Sequence, residues 1–387
     1  MRENWYWCHH RRVFVKIIEI EVYQVDLPYA GGVYKLSGGR TYTSFDSTIV
    51  CIRTDTGLEG WGESTPFGPN YIAAHALGVR AGIAEMADLL IGRDPRQVDR
   101  INDLMDSTLM GHLHAKAAID VACWDILGKA VGMPVCELLG GSTGLSMPII
   151  DSTYAGDPED MRRRVAQTRK QGYLGHSVKV GATPEEGGPA LDAARIEASL
   201  ADARPEEYFI VDCNGGLTVE HALRMLKLLP SGLDFVLEAP CATWAEHMSL
   251  RQRTNVPLIM DELATDEASV MQLISEKAAD GIGLKVSKHG GLTRARRLRD
   301  MCMTSGLTMS VQETAGSQVA FAALTHLGQS IPHRNLRCVL DTRDMYPPIT
   351  AHVDIPVVDG RIRAPQTPGL GITINRDVVG EPVTVYR

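Results

Sequence analysis

The sequence predicts an α/β fold: a barrel in which strands and helices alternate, attached to a smaller α+β unit. Three observations carry the prediction. Five short apolar segments, SVKVG, FIVDCNG, FVLEAP, LIMDEL and GLKVSKHGG, each place one ionisable residue near the C-terminal end, namely Lys179, Asp212, Glu238, Asp261 and Lys285. Successive members lie 23 to 33 positions apart, enough for one strand and one helix. Strand-like and helix-like patterns continue to alternate on both sides, which implies a parallel sheet. The length of 387 residues suits such a barrel with an added domain.

Residues 1–14, MRENWYWCHHRRVF, show no periodicity, and no apolar stretch follows the basic run. They are expected to be a disordered extension, not a signal peptide, and dispensable for stability and turnover. Residues 15–143 read as an α+β capping domain. Strands are expected at 17–27, 48–54 and 58–63, with Asp55-Thr56-Gly57 as a turn. Two Gly- and Tyr-containing stretches, YAGGVYKLSGGRTYTSF and TPFGPNYIAAH, read as loops. Helices are expected at 74–91, at 97–109 and over AKAAIDVACWDILGKAVGMP, where Gly132 and Pro134 end the pattern.

The barrel domain spans 144–348. Its first strand is Met147–Ser152, and seven helix–strand steps follow, from helix 158–171 and strand 175–180 to helix 316–328 and strand 337–341. Residues 349–387 change character. HVDIPVVDGRIRAPQTPGLGI reads as a hairpin punctuated by Gly and Pro, returning to the capping domain.

In a barrel of this kind the chemistry sits where strands end. Asp212, Glu238 and Asp261 would converge there from consecutive strands. Alone they would repel and raise one another's pKa. Mg²⁺, a hard cation that prefers oxygen ligands, resolves the conflict. Lys179 stands on the strand before the trio and Lys285 on the strand after it, facing each other across whatever the metal holds. One Asp at a strand end usually caps a helix or pairs with a base; the constellation is what makes the signal specific.

Composition narrows the partners. Apolar residues make up 44% and charged residues 22%, with a net charge of −8. That balance argues against nucleic acid and anionic membranes. No apolar run reaches membrane-spanning length. The eight cysteines lack metal-binding spacing and read as reduced core thiols of a cytoplasmic protein. Cys213, beside Asp212, is read as a packing residue. A small-molecule substrate and a homo-oligomer are expected.

The order Lys, Asp, Glu, Asp, Lys resembles the enolase superfamily, and within it the muconate-lactonising-enzyme subgroup, over residues 16–387. The resemblance implies a modified TIM barrel, β7α7β-like, under an α+β capping domain that the C-terminal segment completes. It implies Mg²⁺ on Asp212, Glu238 and Asp261, with Lys179 and Lys285 moving the α-proton of a carboxylate through an ene-diolate. Lys179 matches the second lysine of the family's K-x-K motif, whose first position is Ser177 here. Proximity to the metal is then the main means of keeping Lys179 partly neutral. Lys288 is expected as a solvated loop charge. Asn214 is expected to support the metal shell. Glu262 is expected to pair with Lys285 or a helix N-terminus. Strand seven, MSVQETAG, lacks the His of sugar-acid dehydratases. Its Gln312 and Glu313 are candidates for substrate contact or for barrel closure.

The two loops are similar to lids that family members fold over the barrel mouth, with Tyr34, Phe67 and Tyr71 as an aromatic cover. DTRDMYPP lacks the D-x-D of dipeptide epimerases. SGGRTYTSFD, GESTPFGPNYI and EAPCATW resemble a branch acting on proline derivatives. The expected activity is dehydration of cis-3-hydroxy-L-proline with accompanying 2-epimerisation. Alternatives are a 2-epimerase of proline betaine or 4-hydroxyproline betaine, an N-acyl amino acid racemase, a muconate cycloisomerase, and a catalytically silent binding protein. A betaine's quaternary ammonium is best held over aromatic faces. RCVLDTRDM at strand eight offers Leu340 and Asp341 but no ring. This favours an unmethylated ring NH₂⁺ with Asp341 as its partner.

Overall fold

The computed structural model describes residues 14–387, so the expected extension, apart from Phe14, lies outside the described residues. Eight parallel strands follow in chain order: Met147–Thr153, Gly175–Lys179, Tyr208–Asp212, Val236–Glu238, Leu258–Met260, Gly281–Lys285, Thr308–Gln312 and Leu336–Leu340. The eighth closes onto the first, with Val339 opposite Ile149. A helix follows each of the first seven strands, from Pro158–Lys170 to Gln318–Gln329, whereas the eighth runs into a single tight turn at Arg343–Met345. This is the modified barrel that the sequence predicts.

The local sequence explains the helix starts. Asp157 accepts from the N–H groups of Glu159 and Asp160, and Pro158 occupies the first turn. Thr243 and Glu246 form a reciprocal capping box, as do Asp266 and Ser269. Inside the barrel, Ile150, Ile210, Ile259 and Cys338 form one buried cluster. They precede Ser152, Asp212, Asp261 and Leu340 by two residues, and so share their face of the strands. The polar rim therefore rests on an apolar floor.

The capping unit is an antiparallel sheet in the order Thr384–Tyr386, Ile17–Pro28, Ser44–Thr54, Glu59–Ser64. Helices Ala76–Leu90 and Leu113–Val131 back it, and Val98–Thr108 packs against those two. Leu113–Val131 crosses so closely that a Cβ at Gly62 would lie 2.0 Å from the Ala118 carbonyl oxygen, which accounts for the glycine there.

Two buried carboxylates fasten this unit to the barrel by capping barrel helices. Glu63 accepts from the Ser317 N–H at 2.8 Å, the Ser317 hydroxyl at 2.6 Å and the Ala320 N–H at 3.0 Å, at the start of Gln318–Gln329. Asp120 accepts from the Thr293 N–H at 3.0 Å and its hydroxyl at 2.5 Å, at the start of Leu292–Ser305. Helix N-termini present unpaired N–H groups and partial positive charge, so each carboxylate is well placed.

The C-terminal segment forms a hairpin and returns to the capping unit, and adds one pairing that was not expected. Ala351–Val353 does pair with Ile372–Ile374. Between them, however, Arg361–Ile362 pairs with Met147 and Pro148 of the first barrel strand, so this stretch belongs to the barrel. A further strand, Thr384–Tyr386, joins the capping sheet against Ile20–Val22. The seven described cysteines are free and buried, and burial pushes the Cys213 thiol well above its ordinary pKa, as a packing residue requires. No helix among the described residues is long and apolar enough to cross a membrane.

Candidate active site

Strand register gathers the predicted residues at one rim. Lys179 lies opposite Asp212, Asp212 opposite Glu238, and Lys285 opposite Gln312. Asp261 follows the fifth strand directly. All six are buried.

Each carboxylate has protein donors. Asp212 pairs with the Lys179 ammonium and accepts from the Asn214 backbone N–H at 2.9 Å and the Asn214 amide at 3.0 Å. Asn214 adopts φ 45°, a left-handed turn that brings both donors back onto Asp212. Glu238 accepts from Gln312 Nε2, at 3.0 Å on Oε1 and 3.4 Å on Oε2. Asp261 accepts from Lys285 Nζ at 2.5 Å on Oδ2 and from Lys288 Nζ at 2.7 Å on Oδ1. Among the described residues no three His, Cys, Asp or Glu side chains stand arranged to hold a metal ion; the lysines balance the carboxylate charge.

Two expectations are corrected here. Lys288 is not a solvated loop charge: it is buried, and it also donates to the Asp261 carbonyl oxygen at 2.7 Å. Glu262 accepts from the Asn214 amide at 3.3 Å, and Lys285 acts on it through charge but forms no ion pair with it.

Burial and charge pull in opposite directions across the rim. Burial, then the charges of Asp212 and Asp261, push Glu238 well above the carboxylate range. Burial favours neutral Lys179 and Lys285, but the neighbouring acids, chiefly Asp212 and Asp261 respectively, outweigh it and hold both ammonium groups protonated. Burial raises Asp261, yet Lys285 and Lys288 more than reverse this and hold it ionised. For Lys288, burial with the nearby Lys285 prevails and lowers the pKa despite Asp261.

Above the rim lies a cavity of about 40 Å³, with Lys179 and Lys285 in its wall and Tyr34, Phe67 and Tyr71 among its lining. That is room for roughly three waters. The cover is tied down at several points. The Tyr34 hydroxyl meets Ser152 Oγ at 2.6 Å. Phe67 packs edge-on against Tyr34 and Tyr71, with ring centres 5.4 and 5.5 Å apart. Lys285 Nζ donates to the Tyr71 hydroxyl at 3.2 Å. Gln312 and Glu313 also line the cavity. Glu313 accepts from the Ser287 and Thr314 N–H groups, and burial still pushes it up to about 7.

Asp341 does not join them. Arg343 holds both of its oxygens, at 3.0 and 2.7 Å, and the wall there consists of Leu340 and Thr342. Sequence reading also missed Tyr346, which lines the cavity just beyond strand eight. It missed Arg40 as well, which ties the first lid loop to the Asn214 carbonyl oxygen at 2.8 Å. The DMYPP and SGGR segments that hold these two carry no periodic signal.

Comparison with known proteins gives a consistent result. The family model described as "Enolase C-terminal domain-like" matches residues 160–378. That of the "Mandelate racemase / muconate lactonizing enzyme, N-terminal domain" matches residues 31–140. A cis-3-hydroxy-L-proline dehydratase of Roseibium aggregatum is 39% identical, over 96% of this chain and 100% of its own. An N-succinyl-L-Arg/Lys racemase of Bacillus cereus is 30% identical over 96% of this chain and 99% of its own. A crystal structure from Roseovarius nubinhibens ISM, of a protein assigned to the mandelate racemase/muconate lactonizing enzymes and complexed with magnesium, superposes with a TM-score of 0.95 at 55% identity, covering 96% of this chain and all 100% of that one. A similarly assigned structure from Aspergillus oryzae gives 0.90 at 60% identity, with coverage of 96% and 100%. The chain belongs to the enolase superfamily, among its mandelate racemase/muconate lactonizing enzyme members.

Proposed function

We propose that this protein is a Mg²⁺-dependent enzyme that removes the α-proton of a small amino-acid carboxylate. The reaction best supported is dehydration of cis-3-hydroxy-L-proline with accompanying 2-epimerisation. The observation that carries the reading is that Lys179 and Lys285, from the second and sixth barrel strands, both line one cavity beside Asp212, Glu238 and Asp261. The relative 39% identical over its full length supports the substrate.

In donor chemistry, though not in their present lysine-paired arrangement, the carboxylates fit a divalent cation. They are three buried oxygen donors on adjacent strands, and burial, then the charges of the other two, already raises Glu238. Gly283 leaves the space beneath them open: a Cβ there would lie 2.9 Å from Glu238 Oε1 and 3.1 Å from Asp261 Oδ1. Asp212, Glu238 and Asp261 would hold the ion, and Asn214 and Gln312 would orient the first two. Lys179 and Lys285 must withdraw from Asp212 and Asp261 for this to happen. When bound, Mg²⁺ supplies positive charge beside the substrate carboxylate, which acidifies the α-proton and eases the hold of Asp212 and Asp261 on the lysines.

The lysines then act from two sides. Once its carboxylate partner is engaged elsewhere, burial draws a lysine towards the neutral form, which takes the α-proton. Return of a proton by the opposite lysine gives epimerisation. Loss of the 3-hydroxyl, protonated as it leaves, gives a dehydrated ring and water. The aromatic cover of Tyr34, Phe67 and Tyr71 limits the access of bulk water to the carbanionic stage.

A second reading, 2-epimerisation of a proline betaine, gains from Tyr346. This ring lines the cavity just beyond strand eight, while Asp341 is committed to Arg343 and so is a poor partner for a ring NH₂⁺. One experiment separates the readings. Purified protein with Mg²⁺ in D₂O is given proline, 3- and 4-hydroxyproline and their betaines, and followed by proton NMR. Loss of the 3-hydroxyl from cis-3-hydroxy-L-proline supports the first reading, and deuterium entry confined to the betaines supports the second. Neither α-exchange nor loss of the 3-hydroxyl in any of them would reject both.

A further inference from the structure

Asp261 carries two lysines, and they are held differently. Lys285 reaches Oδ2 and also the Tyr71 hydroxyl, so it has somewhere else to go. Lys288 is bound on three sides: Asp261 Oδ1 at 2.7 Å, the Asp261 carbonyl oxygen at 2.7 Å and the Gly283 carbonyl oxygen at 3.4 Å. Its ammonium has three protons to donate and three acceptors. The side chain is buried, and its loop is pinned on either side. The Ser287 N–H donates to Glu313, while His289 bridges the Lys285 N–H and the Ala264 carbonyl oxygen. Lys288 is thus a fixed fitting on one oxygen of Asp261.

The other two carboxylates have no such fitting: Asp212 accepts on Oδ1 from the Asn214 backbone N–H and on Oδ2 from the Asn214 amide and Lys179, and Gln312 reaches both oxygens of Glu238. Of the three, Asp261 is the one with a lysine held on one oxygen by further backbone acceptors. Ca²⁺ takes six to eight oxygens, often two from one carboxylate, in a loose shell, whereas Mg²⁺ takes a strict octahedron of single oxygens.

We propose that Lys288 is a metal-selectivity determinant: by occupying Asp261 Oδ1 it denies that carboxylate two-oxygen coordination, so the site takes Mg²⁺ and disfavours Ca²⁺. The inference rests on the metal reading above. Lys288→Met keeps length and burial but removes both the charge and the donor. Lys288→Leu, which likewise removes both the charge and the donor, serves if the methionine variant does not fold.

The test is the ratio of Mg²⁺ to Ca²⁺ affinity, measured by calorimetry on purified, folded protein without substrate. Wild type should favour Mg²⁺. In the Lys288 variant the ratio should move at least tenfold towards Ca²⁺. Loss of one positive charge strengthens both ions, so Lys285→Met, which removes an equal charge, should raise both affinities and leave the ratio in place. A Lys288→Met ratio within twofold of wild type, or an equal shift in Lys285→Met, would overturn the proposal while leaving the metal reading standing. Failure of the wild type to bind Mg²⁺ would overturn both.

Discussion

Arg40 donates to the carbonyl oxygen of Asn214 at 2.8 Å, joining a lid loop of the capping unit to the turn that orients Asp212. The same guanidinium holds Ser37, through its hydroxyl at 2.6 Å and its carbonyl oxygen at 2.9 Å, and lies over the Tyr71 ring at 5.5 Å. Both lid loops are therefore referred to one cation. Hydrogen bonds from a charged donor contribute about 1.5–3 kcal/mol. Arg40→Ala should raise KM roughly tenfold or more, since each tenfold corresponds to about 1.4 kcal/mol. Because no core contact is lost, kcat and melting temperature should change far less. Steady-state kinetics with the substrate identified by NMR decides it; an unchanged KM would show that the loops close without Arg40.

The two lysines make separable predictions. Lys179→Ala and Lys285→Ala should each abolish epimerisation, because inversion needs a group on both faces. One of the two single variants should still exchange the α-proton of one enantiomer in D₂O, since removal and return on the same face need one base. Loss of a general base costs a factor of about 10²–10⁴. If Lys288→Ala lost epimerisation while Lys285→Ala kept it, the assignment on the sixth strand would move to Lys288. If both Lys179→Ala and Lys285→Ala kept wild-type rates, the two-base mechanism would fail.

Glu313 gives a pH prediction. Burial pushes it up to about 7 from an ordinary value of 4.5. A carboxyl whose folded-state pKa is raised keeps its proton longer in the native state, so its contribution is intact below the unfolded pKa and is lost as pH climbs through the folded one. Glu313→Gln mimics the protonated form at every pH. Its stability to urea should match wild type near pH 4.5 and exceed it by about 3 kcal/mol at pH 8. A difference that does not vary with pH would show that Glu313 titrates as an ordinary carboxyl.

Much of this was legible because barrel chemistry repeats with the fold. Lys179, Asp212, Glu238, Asp261 and Lys285 each end an apolar segment, and spacing alone placed them on consecutive strands. Tyr34, Phe67 and Tyr71 were legible as loop aromatics near a mouth. What escaped was lateral contact between neighbouring loops. Nothing in KVSKHGG distinguishes a lysine that folds back onto the preceding strand's aspartate from one that points into water. Asp341 failed for a similar reason: its partner, Arg343, lies two residues on, and a strand-end carboxylate aimed at the cavity looks identical in sequence to one aimed at its neighbour. One pairing of the C-terminal segment was missed because Arg361–Ile362 is too short to show a period, yet it pairs with the first barrel strand.

The pairing of Thr384–Tyr386 with Ile20–Val22 sets an order of assembly. During synthesis, domains generally fold from the N-terminus as they emerge. Here Ile17–Pro28, the first described strand, meets Ser44–Thr54 on one edge early, but the partner for its other edge emerges only after all eight barrel strands have been made. That edge of the sheet that carries both lid loops is therefore the last to be covered, and until then it presents unpaired N–H and C=O groups at Ile20–Val22.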